Sequence, residues 1–299
     1  MKTLPNVRTF APEYWGEIGK FQQFHSTTHA FTPHAKKAVS AIKGHFEKAL
    51  ILLSVAKKLA PNMQIDNAQL DEKGFTPAVN SQEVAAVVEE VFTELYSSID
   101  CASKVISFVY QRVRRMPDST RKLFRLASTG GFGDDFPAAL RDAFVAADWY
   151  DELRMLRDEL THANVGTCRL DQDGKIFYMH TGMRRDGNAL LFPDVFAKLD
   201  ELFNGVNLFL GRMFRFLNQG LVAAPVDEVC GVFFGRGYLR KLVIADEIDF
   251  NSGVCQSRSW FDNQPEFRCP FASTCGAYAR AAEAHQPTST LPASAERMA

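Results

Sequence analysis

The chain has 299 residues, of which 46% are hydrophobic and 23% are charged, and its formal net charge is −1 at pH 7. This composition is that of an ordinary globular protein, so it excludes an intrinsically disordered chain and a fibrous repeat. The balanced charge excludes a global field that would attract polyanions or an acidic membrane, so any contact with nucleic acid must be local.

The location of the protein is predicted from what its sequence lacks. The chain contains no charge-free apolar stretch of about 18 residues, and its first residues do not show the pattern of a secretory leader. We therefore expect a cytoplasmic protein that makes no contact with a membrane.

Apolar residues spaced three or four positions apart predict four long helices, each with one apolar face. The first follows Thr32 and Pro33, an N-cap and a proline at the first helical position. The second begins at Asn80, which forms a capping box with Glu83, and ends at Pro117. The predicted helices cover residues 33–59, 80–116, 136–162 and 194–217, with a short helix over 119–127.

The segments between the helices predict the rest of the architecture. The polar run 61–79 is expected to be a loop, and a turn sequence at 171–174 predicts a β-hairpin near 167–181. None of the long helices can bury its apolar face alone, so we predict a mainly α protein, an antiparallel helical bundle with an inserted β-hairpin and a small Cys-rich C-terminal appendage. The predicted parts are an N-terminal extension 1–30, the bundle 31–222, a Cys-rich module 223–281 and a disordered tail 282–299.

An Arg-x4-His motif lies at the far end of the third long helix, where Arg157 and Asp158 are followed by His162. Asp158 and His162 are one helical turn apart, so Asp158 is placed to orient the imidazole. Arg157 lies about 140° around the helix from His162 and needs its long side chain to converge on it. An arginine gives a phosphate a fixed positive charge, and a histidine can take a proton from a 2′-hydroxyl, so this pair suits metal-free RNA cleavage.

The stretch Arg157-Asp158-Glu159-Leu160-Thr161-His162 resembles the higher eukaryotes and prokaryotes nucleotide-binding (HEPN) superfamily. Its pattern is an arginine, a polar residue, three further residues and a histidine, within an α-helical bundle. The resemblance implies a homodimeric, metal-independent endoribonuclease that needs no catalytic cofactor. Such proteins act on RNA in toxin–antitoxin, phage-defence or RNA-processing systems, which implies an antitoxin or another protein as a partner.

The resemblance also implies roles for the three motif residues. His162 would be the general base or acid, Arg157 would stabilise the charge on the phosphorane, and Asp158 would orient its neighbours. The alternative is a non-catalytic nucleotide-binding or protein-interaction bundle, in which Arg157 only pairs with nearby carboxylates on the helix surface.

Clustered basic residues are candidates for contact with the RNA backbone. Arg112, Arg114 and Arg115 are expected in the last turn of the second long helix, and Arg121 and Arg125 follow in the short helix. The first three are the predicted substrate-binding residues. The alternative is that these charges only solvate the faces of their helices.

Four of the six cysteines, Cys230, Cys255, Cys269 and Cys275, fall in the last quarter of the chain. Four thiolates are able to close a tetrahedral structural zinc site, which would stabilise a small module with little core of its own. The spacing is not the repeated Cys-x2-Cys of many zinc modules, so an iron–sulfur cluster and four unligated buried thiols remain alternatives. A redox or metal sensor centred on this segment is a third functional hypothesis.

Overall fold

A computed structural model describes residues 10–185, 187–264 and 266–283. Within these residues the protein is mainly helical and has two small antiparallel sheets. The described residues divide into two compact units, a larger one within 17–22 and 29–220 and a smaller one within 10–16, 23–28 and 221–283. The tail predicted to be disordered begins inside the last helix, and its residues 284–299 lie outside the described part of the chain.

The secondary structure follows in chain order. The helices before the first sheet are α1 Gly16–Phe24, α2 Pro33–Leu59, α3 Met63–Lys73, α4 Val79–Val109, α5 Thr120–Ser128, α6 Ala138–Val145 and α7 Tyr150–His162. The first sheet and the long helix after it are β1 Thr167–Leu170, β2 Ile176–Arg185, β3 Asn188–Phe192 and α8 Val195–Gln219. The smaller unit ends with β4 Val226–Phe233, β5 Arg236–Leu242, β6 Val254–Cys255, α9 Arg258–Asp262 and α10 Gly276–Glu283. Among the described residues, none of these helices is both long and apolar enough to cross a membrane.

Two of the predicted long helices are confirmed. Each begins at a capping residue that the local sequence supplies. α2 spans the predicted residues 33–59, and the Thr32 side chain accepts a hydrogen bond from the Ala35 amide at 3.2 Å. α8 begins after Asp194, whose side chain accepts a hydrogen bond from the Ala197 amide at 3.1 Å. Both caps satisfy an amide that would otherwise have no partner in the first helical turn.

The predicted loop over 61–79 is wrong, because residues 63–73 form α3. This helix has almost no apolar periodicity, and of its residues Met63 and Asp66 are buried. Burial of Met63 and the contacts that α3 makes with α4 hold the segment in place. A polar sequence of this kind becomes helical through tertiary packing, which periodicity does not detect.

Asp66 also replaces the predicted Asn80–Glu83 capping box at the start of α4. Its carboxylate accepts hydrogen bonds from the Ser81 amide and hydroxyl, both at 2.7 Å, and from the Asn80 side chain at 2.8 Å. Burial raises the pKa of Asp66, but these hydrogen bonds outweigh burial and hold the pKa below its usual 3.8. The cap of α4 is therefore supplied by a preceding helix and not by the local sequence.

Replacing Asp66 with alanine is expected to lower the free energy of unfolding by about 1–3 kcal/mol at pH 7, because it removes several charge-assisted hydrogen bonds. A carboxyl whose pKa is lowered by folding stabilises the protein fully above its unfolded pKa, and this contribution is lost as pH falls through the folded pKa. Urea unfolding at several pH values checks both statements. The difference between the two proteins should shrink below about pH 4, and a difference independent of pH would contradict the assignment.

The helix predicted over 136–162 is two helices, α6 and α7, with a break at residues 146–149. The break places the Trp149 ring against Gly205 of α8, where an added Cβ would lie 2.5 Å from the indole nitrogen. It also starts α7 at Tyr150, which stacks on Phe124 with ring centroids 3.4 Å apart. Both sides of the break carry the same apolar spacing, so the periodicity could not reveal it.

The predicted hairpin is present as β1 and β2, which pair in antiparallel register from Thr167 opposite Met179 to Leu170 opposite Ile176. A third strand, β3, pairs with β2 and completes a three-stranded sheet in the order β1-β2-β3. The smaller unit contains a second antiparallel sheet in the order β4-β5-β6, for which no sequence pattern gave a prediction.

Candidate functional site

Helix α7 carries the predicted motif on its exposed side. Tyr150, Leu153 and Leu156 are buried, so the helix is held by one face. Residues four positions apart share a face of a helix, which puts Arg154 on the same stripe as Asp158 and His162. His162 is the last residue of the helix and is exposed.

Asp158 pairs with two arginines. One of its oxygens accepts a hydrogen bond from Arg154 Nη1 at 3.1 Å, and the other accepts one from Arg157 Nη1 at 3.0 Å. The Arg157 guanidinium lies 4.9 Å from the centre of the Tyr96 ring. Within the described residues His162 has no hydrogen-bond partner, so the expectation that Asp158 orients the imidazole is wrong, and Asp158 orients the arginines instead.

A cavity of about 750 Å³ opens between α7 and the first sheet, and we call it the α7 cavity. His162 and Asp158 line it, together with Arg154 and with Arg184 of β2. Arg157, the predicted phosphate-binding residue, is not among its lining residues. The volume is that of a site for an organic ligand.

Four carboxylates and two arginines line the α7 cavity, and ion pairs engage two of the carboxylates. Asp158 is paired with Arg154 and Arg157, and Glu152 lies 2.6 Å from Lys198 Nζ. Glu159 is partly exposed and accepts a hydrogen bond from the Asn164 side chain at 3.4 Å. The exposed imidazole therefore stands in a cavity of mixed charge.

A second cavity of about 850 Å³ adjoins the first, and we call it the α5 groove. The two share Asp148, Arg154 and Met155 as lining residues, so Arg154 lies where they meet. The cations and carboxylates that line the α5 groove are Arg121, Lys122, Arg125, Arg154, Asp148 and Asp151. Four cations against two carboxylates make the groove basic.

The predicted substrate-binding residues Arg112, Arg114 and Arg115 do not line either cavity. Helix α4 ends at Val109, several residues before the predicted end, and these exposed arginines lie in the turns that follow. Arg115 has a left-handed backbone, with φ of 69°, which an α-helix does not allow. The basic residues that line the groove come from the next helix, α5.

Sequence reasoning missed a buried network beside the end of α7. Glu89 of α4 accepts hydrogen bonds from the Tyr178 hydroxyl at 2.9 Å and from the Gly166 amide. Burial raises the pKa of Glu89, and the two hydrogen bonds partly offset that rise. A Cβ at Gly166 would lie 2.3 Å from the Tyr178 ring, so only glycine fits at this position. The network fixes the chain that leaves α7.

His180 of β2 fixes the same segment from the other side. Its side chain is fully buried, its Nδ1 accepts a hydrogen bond from the Met183 amide at 3.2 Å, and its Nε2 donates to the Asn164 carbonyl at 3.0 Å. Both ring nitrogens are therefore occupied. His180 has a structural role, which leaves His162 as the exposed histidine of the α7 cavity.

The four C-terminal cysteines of the smaller unit line one cavity of about 20 Å³. Burial raises the pKa of Cys230 and Cys255, and it raises the pKa of Cys269 to about 11. No group of three or more His, Cys, Asp or Glu side chains in the described residues is placed to hold a metal ion. The structural zinc ion therefore stays a prediction.

The geometry thus places His162 and Asp158 in one cavity with Arg154, and it places Arg157 beside that cavity. The predicted substrate-binding arginines lie elsewhere, whereas the four cysteines come together. Comparison of the chain with protein-family models, with curated proteins and with solved structures finds no match.

Proposed function

We propose that the protein is a metal-independent endoribonuclease of the HEPN type. One observation carries the proposal: the exposed His162 shares the α7 cavity with Arg154 at the point where that cavity joins the basic α5 groove. A basic groove that leads to a histidine and an arginine suits a single-stranded RNA whose backbone reaches a proton-transfer group. The resemblance of residues 157–162 to the HEPN motif agrees with it.

In the proposed reaction His162 takes the proton of a ribose 2′-hydroxyl, and the resulting oxygen attacks the adjacent phosphorus. Arg154 stabilises the negative charge that develops on the phosphorane oxygens. The bond from phosphorus to the 5′-oxygen then breaks, and the departing oxygen takes up a proton. The products are a 2′,3′-cyclic phosphate and a 5′-hydroxyl. The step needs no metal because an imidazole and a guanidinium supply the proton transfer and the charge.

Arg157 joins the site in the proposed homodimer. Its side chain is about one-third exposed and is held by Asp158 and Tyr96, so it faces outward beside the α7 cavity. Two chains that juxtapose their α7 helices would add both copies of Arg157 to a shared cleft, as the HEPN resemblance implies. The proposed architecture is an antiparallel bundle around α4, which contacts α2, α7 and α8, with a Cys-rich C-terminal appendage.

The same proposal includes a role in a toxin–antitoxin or defence system, with an antitoxin or another protein as a partner. It also includes a cytoplasmic location. An exposed nuclease site would require such a partner to restrain it in the cell. The runner-up function is a non-catalytic nucleotide-binding or protein-interaction bundle.

The test uses the purified full-length protein with end-labelled RNA and DNA of matched sequence, in EDTA. We expect the RNA to be cut and the DNA to remain intact, because DNA lacks the attacking 2′-hydroxyl. Equal cleavage of DNA, or loss of RNA cleavage on chelation while the protein stays folded, contradicts the proposal. Absence of cleavage across a random-sequence RNA pool, with binding retained, supports the non-catalytic module instead.

The α5 groove predicts a specific salt dependence. In a His162→Ala background, which prevents cleavage, Arg125→Ala is expected to weaken RNA binding and to reduce the slope of log affinity against log salt by about 0.7, the value for one lost phosphate contact to a single strand. Arg112→Ala is the matched control, because Arg112 is also an exposed arginine and lies outside the groove. A slope that changes for Arg112→Ala and not for Arg125→Ala would contradict the groove as the RNA path.

A further inference from the structure

The cysteines of the smaller unit come from three separate segments and meet at one cavity. Cys230 lies in β4 and Cys255 in β6, whereas Cys269 lies in the loop before α10 and Cys275 directly precedes that helix. All four line the same enclosed space. Four cysteines that meet around one cavity are typical of a shared metal ligand site.

The cavity excludes an organic ligand and favours an inorganic one. Its volume is about 20 Å³, far below the several hundred cubic ångströms of organic-ligand sites. Besides the cysteines and one arginine, its lining is aromatic, with residues such as Phe233, Tyr238 and Phe271. Among the described residues no histidine or carboxylate lines it, so its soft metal-binding donors are the four thiols. Soft thiolate donors select zinc, copper(I) and iron–sulfur clusters.

Arg240 of β5 supplies an independent sign that an anion belongs in this cavity. Its side chain is 2% exposed and lines the cavity, and Nη2 donates to Cys275 Sγ at 3.6 Å. The guanidinium lies 3.9 Å from the centre of the Phe10 ring, and Nη1 donates to the carbonyls of Phe250 and Ser252. Its Nε is buried with no hydrogen-bond partner in the described residues.

No carboxylate among the described residues forms an ion pair with Arg240. Burial of a cation without a counter-ion is costly, so negative charge near the guanidinium would stabilise the site beyond what the two carbonyls provide. Four thiolates around a metal centre carry a net negative charge. Such a centre would neutralise Arg240 and give its free Nε–H a sulfur acceptor.

We propose that Cys230, Cys255, Cys269 and Cys275 bind an iron–sulfur cluster. The four thiols surround one enclosed cavity, although no three such side chains among the described residues are placed around a single ion. A cluster binds its thiols through several iron atoms, so the thiols need not converge on one point. On binding, each thiol releases its proton to solvent as its sulfur bonds to one iron atom, and the iron and sulfide come from the cluster that is delivered. All four cysteines belong to the smaller unit, whereas the proposed ribonuclease site belongs to the larger one. Failure of either proposal therefore leaves the other unaffected.

The test is a metal analysis of the full-length protein purified without oxygen. We expect iron and acid-labile sulfide in about equal amounts, about two or four of each per chain, and a visible absorption that dithionite bleaches. If the protein emerges without metal, it is incubated with ferrous iron, sulfide and a thiol reductant. Failure to take up iron then overturns the proposal, and so does about one zinc per chain without iron, which would make the site a mononuclear zinc site.

Two variants test the ligands. Cys269→Ser is expected to lose most of the iron, whereas Cys101→Ser, a cysteine of α4 in the other unit, is the matched control and should keep all of it. Iron retained in full by Cys269→Ser and also by Cys230→Ser would overturn the assignment. The metal content of the unaltered protein remains decisive if the serine variants fail to fold.

Discussion

Replacing His162 with alanine is expected to lower the rate of RNA cleavage by about 10²–10⁴-fold, because the reaction then lacks its general base. The fold should not change, since the imidazole is exposed and has no hydrogen-bond partner in the described residues. Substitutions at such surface positions usually change stability by less than about 0.5 kcal/mol. The measurement is the single-turnover cleavage rate of a labelled RNA, with circular dichroism to confirm folding.

The matched control is His34→Ala, which removes an exposed histidine that lines neither the α7 cavity nor the α5 groove. Its cleavage rate should equal that of the unaltered protein. A folded His162→Ala variant that cleaves RNA at the full rate would remove His162 from the chemistry. Equal losses in both variants would point to a general effect of histidine substitution.

Replacing Phe124 with alanine is expected to lower the free energy of unfolding by about 3–5 kcal/mol, the range for a large buried aromatic side chain. The Phe124 ring is 5% exposed and stacks on Tyr150 of α7 with centroids 3.4 Å apart. It also contacts Phe144 of α6 at 4.8 Å and Phe209 of α8 at 5.3 Å. This one side chain therefore ties α5, which carries the basic groove residues, to three other helices.

Denaturant unfolding of the purified variant measures that loss. Phe75→Ala is the control, because the Phe75 side chain is 68% exposed and its removal should cost less than about 0.5 kcal/mol. A loss below about 1 kcal/mol for Phe124→Ala would contradict the packing of α5 against α7. RNA binding should weaken in the same variant, because α5 would no longer be held in place.

Local signals predicted the parts of the fold that depend on local physics. The bounds of α2 follow from the Thr32 cap, Pro33 and a regular apolar stripe. The β1–β2 hairpin follows from its turn sequence. The prediction failed where tertiary contacts determine the secondary structure. Residues 63–73 were predicted to be a loop, but they are helical because Met63 is buried and the helix packs on α4. The break before α7 depends on how Trp149 fits against Gly205 of a distant helix.

The candidate site was also predictable only where the local sequence determines the structure. The position of His162 at the end of a helix was predictable from periodicity, and its exposure follows from the opposite apolar face. Which arginine lies in the cavity was not predictable from the motif alone, because that depends on where the first sheet packs. Arg154 carried a usable signal, since it lies four and eight positions before Asp158 and His162. Glu89 carried none, because its partners Gly166 and Tyr178 are far away in sequence.

The most direct test of the account replaces one ribose. An RNA oligonucleotide that the protein cuts at a mapped linkage is compared with the same oligonucleotide carrying a single 2′-deoxy nucleotide on the 5′ side of that linkage. Attack by the 2′-oxygen predicts that cleavage at this linkage disappears while cleavage at other linkages continues, and that the products of the all-ribose RNA end in a 2′,3′-cyclic phosphate. Continued cleavage at the 2′-deoxy position would contradict the proposed chemistry of His162 and Arg154.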